Sequence, residues 1–97
     1  MGTHNLCVPI YGAFKKDYKR VKATPKHRNI DDKLEVVLLH LVTDNPLPKK
    51  YCDHPLSGEW KDYRDCHVKP DLVLIYRKPD HQIIQLVRLG SHSELGL

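Results

Sequence analysis

Three histidines in the second half of the chain have the residue type that acid–base chemistry needs: His54, His67 and His92. Histidine gives and takes protons most readily near neutral pH, because its unperturbed pKa is about 6.5. A small basic protein with several such groups near strand ends is a candidate for metal-free, acid–base cleavage of RNA. Whether the three histidines converge therefore decides which function the sequence supports.

Carboxylates accompany the histidines at spacings that strand geometry can use. Positions i and i+2 of a strand share a face, so Asp65 and His67 point to one side while Cys66 points to the other. A carboxylate beside a histidine fixes its tautomer and raises its pKa. The alternative interpretations are a cross-strand polar pair for Asp65 and His67, and a simple turn carboxylate for Asp71, which follows Pro70.

Two arginines and one tryptophan are further candidates. Arg64 and Arg88 lie on or near the same predicted strands, and an arginine can hold a phosphate bidentately. Arg64 could equally pair with a nearby carboxylate. Trp60, which precedes Lys61, could stack on a base or could be a core anchor. The other four histidines, at positions 4, 27, 40 and 81, are interpreted as structural.

The same residue types could also ligate zinc. Adjacent strand residues such as Cys66 and His67 face opposite sides, which makes a shared ion difficult, and the spacing fits no standard zinc module. The sequence therefore predicts chemistry without a metal or cofactor. The zinc ligands considered are His54, Cys66, His67, Asp71 and His92.

Charge and composition are consistent with one small domain over residues 1–97 that meets a polyanion. The formal net charge is +4, and the excess belongs to the N-terminal half. It suits RNA or an acidic partner, although a solvated helix face would also explain it. Three cysteines without a CxxC motif, and no apolar run of membrane-spanning length, predict a soluble cytoplasmic protein.

Hydrophobic periodicity predicts an α+β domain. A two-helix hairpin should pack on a mainly antiparallel sheet whose central strand, residues 72–76, is apolar at every position and covered on both faces. Pro70 and residues 79–80 should mark turns, and Asn29 should cap the second helix. The predicted elements are a strand over 4–11, helices over 11–21 and from 29 to before 45, strands over 61–68, 71–78 and 82–89, and a short turn or helix over 91–96.

Residues 46–95 closely resemble YafQ-type toxins of the RelE/ParE superfamily of bacterial toxin–antitoxin systems, while the N-terminal half matches only in its pattern of elements. The resemblance implies a RelE-like fold. The sequence departs from the family pattern at its C-terminal end, where relatives often have a phenylalanine about four residues after the last histidine. The matching segments are DHPLSGEWK at 53–61, YRDCHVKPD at 63–71, LIY at 74–76 and RLGSHSEL at 88–95.

The resemblance implies a ribosome-dependent mRNA endonuclease, or mRNA interferase. Such a toxin would enter the ribosomal A site beside 16S rRNA, cut the mRNA codon there and stop translation. Its partner would be a cognate antitoxin with an acidic, partly disordered segment that folds on the toxin. The active site that the family implies comprises His54, Asp65, His67, Asp71 and His92.

The predicted mechanism is metal-independent transesterification, in which the 2′-hydroxyl attacks the adjacent phosphate. His92 is expected to be the general acid and His54, supported by Asp71, the general base, although the exchanged assignment fits equally well. His67 and Asp65 would orient the site and help to bind the phosphate.

Cationic residues complete the predicted site. Arg64 or Arg88 would offset charge in the transition state. The basic helices would grip ribosomal RNA phosphates, an interaction that weakens steeply with salt. The residues predicted for this contact are Lys15, Lys16, Lys19, Arg20, Lys22, Lys26 and Arg28.

Two alternatives keep the fold and change the activity. A ParE-like toxin would block gyrase by binding, without nuclease chemistry, but pure binding does not need the histidine and aspartate set. A catalytically decayed binding module would explain the missing terminal aromatic residue.

Overall fold

A computed structural model describes residues 12–80 and 83–97, so the strand predicted over residues 4–11 lies outside the described residues. The described chain forms a helical hairpin, a four-stranded antiparallel sheet in the order β1-β2-β3-β4, and a short final helix. No described helix is long and apolar enough to cross a membrane. The elements are α1 (Gly12–Ala23), α2 (Ile30–Val42), β1 (His54–Pro55), β2 (Arg64–Lys69), β3 (Leu72–Asp80), β4 (Ile83–Gly90) and α3 (His92–Leu95).

Both long helices form where the sequence predicts them. α1 ends at Ala23 because Thr24, which precedes Pro25, has extended backbone angles of φ −82° and ψ 121°. Asn29 takes the predicted N-cap position of α2, but its side chain does not cap the helix. The Asn29 Oδ1 instead accepts a hydrogen bond from Lys69 Nζ at 3.4 Å, which ties the start of α2 to the end of β2.

The first long strand, β2, begins at Arg64 rather than at the predicted residue 61. The reason is local, because Gly58–Trp60 forms a 3₁₀ turn and the chain turns again immediately after it. The loop between β1 and β2 is therefore compact, and it places Trp60 above the sheet rather than in it.

The turn predicted at residues 79–80 is wrong, because both residues lie in the exposed end of β3 and Asp80 pairs with Ile83. β2 pairs with β3 only as far as Tyr76. Beyond Tyr76, one side of β3 has no neighbouring strand among the described residues, and proline is tolerated at such an edge.

The central strand β3 is buried on both faces, as predicted, and it separates two apolar cores. Alternate residues such as Leu74 and Tyr76 pack under α1 and α2, on what we call the helix side. Val73 and Ile75 face the other way, on what we call the loop side, and the final helix contributes Leu95 there. The antiparallel α+β architecture that the sequence predicts is confirmed.

Candidate active site

His54 and Asp65 face each other across the β1–β2 ladder. β1 is only two residues long, and its register places the His54 Cα opposite that of Asp65, so both side chains are on one face. His54 Nδ1 lies 3.0 Å from Asp65 Oδ1, yet its hydrogen bond goes to the Cys52 carbonyl oxygen at 2.8 Å. Asp65 Oδ1 is consequently a buried oxygen without a hydrogen-bond partner in the described part of the chain.

Asp65 is the electrostatic centre of this site. The residue is 2% exposed, and burial raises the pKa of its carboxyl group above the ordinary value. Positive charge on His54, His67 or His92 acts in the opposite direction and favours the carboxylate. All three predicted histidines are therefore near enough to Asp65 to influence its protonation.

His92 is brought to the site by a helix terminus. Ser91 and Glu94 form a capping box: the Glu94 amide donates to Ser91 Oγ at 3.1 Å, and the Ser91 amide donates to Glu94 Oε1 at 2.9 Å. These bonds start α3 at His92, whose ring centroid lies 4.9 Å from that of His67. Strand alternation puts His67 on the same side as Asp65, so the structure groups all three histidines with this carboxylate.

A cleft of about 470 Å³ opens beside this group. His54, Asp65 and His92 form part of its wall, and the rest comes from the β1–β2 loop, including Trp60, and from the chain after α3. The histidine side of the cleft is open to solvent, since the His54 side chain is 52% exposed. Proton-transfer groups with an adjacent open cleft can act on a polymer that enters from solvent.

Asp71 does not support His54, and that part of the prediction is wrong. Its Oδ2 lies 2.8 Å from Lys26 Nζ and 3.9 Å from His27 Nε2, and the hydrogen bond from Lys26 lowers the pKa of Asp71. The physical reason is that β1 pairs with the beginning of β2, whereas Asp71 follows the end of that strand. The carboxylate beside His54 is Asp65.

Comparison with known proteins identifies the family. The sequence model for the bacterial toxin of type II toxin–antitoxin systems, YafQ, matches residues 8–96. The chain belongs to the YafQ family. The mRNA interferase toxin YafQ of Escherichia coli strain K12 is 41% identical over 85 residues, which cover 87% of this chain and 88% of that relative. The resemblance first noted over residues 46–95 is confirmed.

Solved structures of the family share the fold. A copper-bound mutant toxin from Helicobacter pylori superimposes with a TM-score of 0.80 and 38% identity, covering 93% of this chain and 98% of that one. A chain of the E. coli DinJ–YafQ complex superimposes with a TM-score of 0.79 and 37% identity, covering 93% and 97%. The YafQ-family fold therefore extends over the described part of the N-terminal half, and the match of the family model over residues 8–96 corrects the prediction that this half matches only in pattern.

In this YafQ-family chain, Arg64 is not at the cleft. Its Nε and Nη2 donate to the two carboxylate oxygens of Asp53 at 3.2 and 3.3 Å, and the Tyr76 hydroxyl donates to the same carboxylate at 2.5 Å. Strand alternation places Arg64 on the helix side, opposite Asp65. The alternative that the sequence left open, pairing with a nearby carboxylate, is the observed one. Asp53, to which the sequence assigned no role, directly precedes His54, and its bonds to Arg64 and Tyr76 anchor the chain there.

Arg88 is likewise occupied away from the cleft. Its Nε and Nη2 donate to the carboxylate of buried Asp17 in α1 at 2.6 and 3.3 Å, and the Leu89 amide donates to Asp17 at 3.0 Å. Burial alone would raise the pKa of Asp17, but hydrogen bonds from Arg88 and Leu89 and the positive charge of Arg88 outweigh it and lower that pKa. The predicted transition-state role of either arginine is therefore wrong in this geometry.

Arg20 links α1 to the helix that carries His92. Its guanidinium donates to Asp17 at 3.0 Å and to the Leu89 carbonyl oxygen at 3.2 Å, and its Nε lies 3.5 Å from Glu94 Oε2. Asp17 could have been found in the sequence, because it lies three residues after Phe14 on the apolar stripe of α1. Arg20 is thus a structural residue rather than the RNA contact that the sequence predicted.

The exposed basic surface is smaller than the sequence predicts. Lys22 is paired with Asp31, and Lys26 with Asp71. For the other four cations, no carboxylate of the described residues lies within ion-pairing distance, and their side chains are exposed. They are Lys15, Lys16, Lys19 and Arg28.

Proposed function

We propose that this protein is the toxin of a type II toxin–antitoxin pair and an mRNA endonuclease that acts on the ribosome in the bacterial cytoplasm. The observation that carries the proposal is the convergence of His54, His67 and His92 on the buried carboxylate of Asp65, beside an open cleft. The E. coli relative named an mRNA interferase toxin supports the choice of substrate.

The orientation of His54 suits it to be the general base. Because a carbonyl oxygen only accepts hydrogen bonds, the bond to Cys52 places a proton on His54 Nδ1. The neutral ring then has an unprotonated Nε2 that can take the proton of the 2′-hydroxyl. Asp65, 3.0 Å from Nδ1, stabilises the positive ring that results.

The reaction conserves atoms and protons without another reactant. The 2′-oxygen attacks phosphorus as its proton passes to His54, the bond from phosphorus to the 5′-oxygen breaks, and His92 gives a proton to that oxygen. The products are a 2′,3′-cyclic phosphate and a 5′-hydroxyl. His67, whose ring lies beside that of His92, orients it toward the leaving group.

Copper in the H. pylori toxin makes a metal site the natural competing hypothesis. Among the described residues, however, no three His, Cys, Asp or Glu side chains are grouped so that they could hold a metal ion. The proposed mechanism uses no metal ion, and the experiment below tests that choice.

An antitoxin has a suitable surface on the helix side. A largely apolar groove of about 760 Å³ lies between α1 and α2, and the Leu39 side chain beside it is 59% exposed. Lys15 and Lys19 stand on its rim. An amphipathic helix with acidic flanks would bury its apolar residues on Leu38 and Leu39 and meet these lysines. The solved DinJ–YafQ complex supports a protein partner for this chain.

The decisive experiment adds purified protein to translating ribosomes and maps the mRNA ends. EDTA is kept below the Mg²⁺ concentration, so that it removes the more tightly bound transition metals without dissociating the ribosomes. The wild type should produce codon-phased cuts, and His54→Ala and His92→Ala should each reduce the rate on the order of 10²–10⁴-fold. His40→Ala is the matched control, because His40 lies on α2 and its ring nitrogen Nδ1 bonds to the Val36 carbonyl oxygen rather than to a residue of the cleft. Gyrase inhibition without cleavage would overturn the proposal, and cleavage abolished by EDTA would restore the metal hypothesis.

The assignment of acid and base is tested with a substrate whose 5′-bridging oxygen is replaced by sulfur. A thiolate leaves without protonation, so this substrate should restore cleavage to His92→Ala and leave His54→Ala inactive. Rescue of His54→Ala instead would exchange the two roles.

A further inference from the structure

The cleft has two chemically different walls. His54, Asp65 and His92 form the wall where proton transfer would take place, while Leu56, Trp60 and Leu97 form an apolar wall. A volume of about 470 Å³ is within the range of roughly 300–1,000 Å³ that small-molecule sites occupy. The phosphate chemistry of the proposed function uses only the first wall.

Trp60 is held rigidly at the apolar wall. The Gly58–Trp60 turn is closed by a hydrogen bond from the Trp60 amide to the Ser57 carbonyl oxygen at 3.3 Å, and the Tyr63 amide donates to the Trp60 carbonyl oxygen at 2.9 Å. The Trp60 and Tyr63 rings meet edge to face, with centroids 5.3 Å apart. Trp60 nevertheless remains only partly buried, so part of the indole is available to the cleft.

The charge at this wall favours a nucleobase over a phosphate group. Among the described residues on this wall of the cleft, the charged side chain is that of Glu59, an exposed carboxylate that repels a phosphate and accepts hydrogen bonds. A nucleobase has an apolar face for the indole and amino groups that can donate to a carboxylate. The wall is therefore complementary to the flat, polar-edged shape of a base.

We propose that Trp60, with Leu56 and Leu97, forms a subsite for a nucleobase next to the scissile phosphate. The inference rests on the proposed function, because the nucleobase would belong to the RNA strand whose phosphate reacts between His54 and His92. Stacking on one base should contribute on the order of 10- to 100-fold to affinity.

The test uses an RNA trinucleotide that cannot be cut because its 2′-oxygens are methylated. Trp60 is the only tryptophan of the chain, so intrinsic fluorescence reports on this subsite alone. We expect saturable quenching of Trp60 as the trinucleotide is added. The affinity, measured by calorimetry, should fall at least tenfold in Trp60→Leu and stay within about threefold in Trp60→Phe.

Leu97→Ala provides a second variant that keeps the core intact, because Leu97 is 40% exposed. It should weaken binding severalfold, whereas Leu39→Ala, a matched leucine on the helix side, should not. Unchanged affinity in both Trp60→Leu and Leu97→Ala, or saturable binding that leaves Trp60 fluorescence constant, would overturn the subsite. Because the ligand is uncuttable, quenching without any cleavage of mRNA would reject the proposed function and keep the subsite.

Discussion

At the scale of single residues, the Cys52 carbonyl oxygen determines how the His54 ring is held. It binds His54 Nδ1 at 2.8 Å, which leaves Asp65 close to the ring but without a hydrogen bond from it. A buried, unsatisfied carboxylate is costly to stability. The protein keeps such a group where it can stabilise a protonated histidine, which is a common compromise at active sites.

That compromise makes Asp65→Asn a test of both stability and activity. Because the pKa of Asp65 is raised in the folded state, the native state binds a proton more tightly than the unfolded state. The contribution of Asp65 to stability therefore falls as the pH rises from about 4 through the raised pKa. Asp65→Asn lacks this loss, so its stability relative to wild type should be more favourable at pH 7 than at pH 4. Cleavage should fall on the order of 100-fold.

Urea unfolding of both proteins at the two pH values measures the effect. Asp32→Asn, which changes an exposed carboxylate in the first turn of α2, is the control and should show almost no pH-dependent difference. A difference between Asp65→Asn and wild type that is identical at both pH values would contradict the raised pKa.

At the scale of elements, the cleft depends on ion pairs that lie outside it. Asp17 joins α1 to β4 through Arg88 and the Leu89 amide, and Arg20 continues the connection to Glu94, which caps α3. On the other side of the site, Asp53 holds Arg64 and Tyr76 just before β1. His54 and His92, the proposed base and acid, thus stand at element ends that arginine–carboxylate pairs secure.

We expect Asp17→Asn to lower the free energy of unfolding by about 2–3 kcal/mol at pH 7. This decrease is smaller than the usual loss for a broken buried ion pair, because Arg20 and Arg88 are partly exposed. The pKa of Asp17 is lowered, so its stabilisation is complete above the unfolded pKa of about 3.9 and is lost as pH falls through the folded value. The deficit of the variant should therefore shrink when unfolding is measured near pH 3. An equal deficit at both pH values would argue against a charged Asp17.

Local sequence signals account for most of the fold and for half of the site. The helices, the fully apolar β3 and the pairing of Asp65 with His67 follow from periodicity alone. The contact between His54 and Asp65 could not be predicted, because a two-residue strand takes its register from tertiary packing. The arginines were misassigned for a related reason: a long guanidinium side chain reaches several partners, and only the folded chain decides which carboxylate it meets.

At the scale of the whole molecule, the sheet divides the protein into two surfaces. The helix side presents exposed lysines and the apolar groove, and the loop side presents the cleft. We expect the long-range attraction to ribosomal RNA that the proposed function requires to come from the helix side, since both arginines predicted for the cleft are engaged by carboxylates. Ribosome binding and RNA cleavage should therefore respond to different substitutions.

Replacing Lys15, Lys16 and Lys19 together by glutamine should flatten the dependence of ribosome binding on salt. The slope of log K against log salt concentration should decrease by roughly 2–3, because each neutralised phosphate contributes about 0.7–0.9. Sedimentation of ribosomes at several salt concentrations measures it, with the triple arginine variant as a charge-matched control. If the glutamine and arginine variants have the same slope, these lysines do not contact phosphates. Binding of the uncuttable trinucleotide should not change.

The separation by β3 also has a consequence for how such toxins diverge. Residues that pack under the helices and residues that pack in the loop-side core alternate along the same strand, with Leu74 and Tyr76 on one side and Val73 and Ile75 on the other. Exposed residues of the groove, such as Leu39, can therefore be substituted without moving the histidines. A genome that carries several copies of this fold can thus evolve mutually exclusive toxin–antitoxin pairs while every copy retains the same reaction.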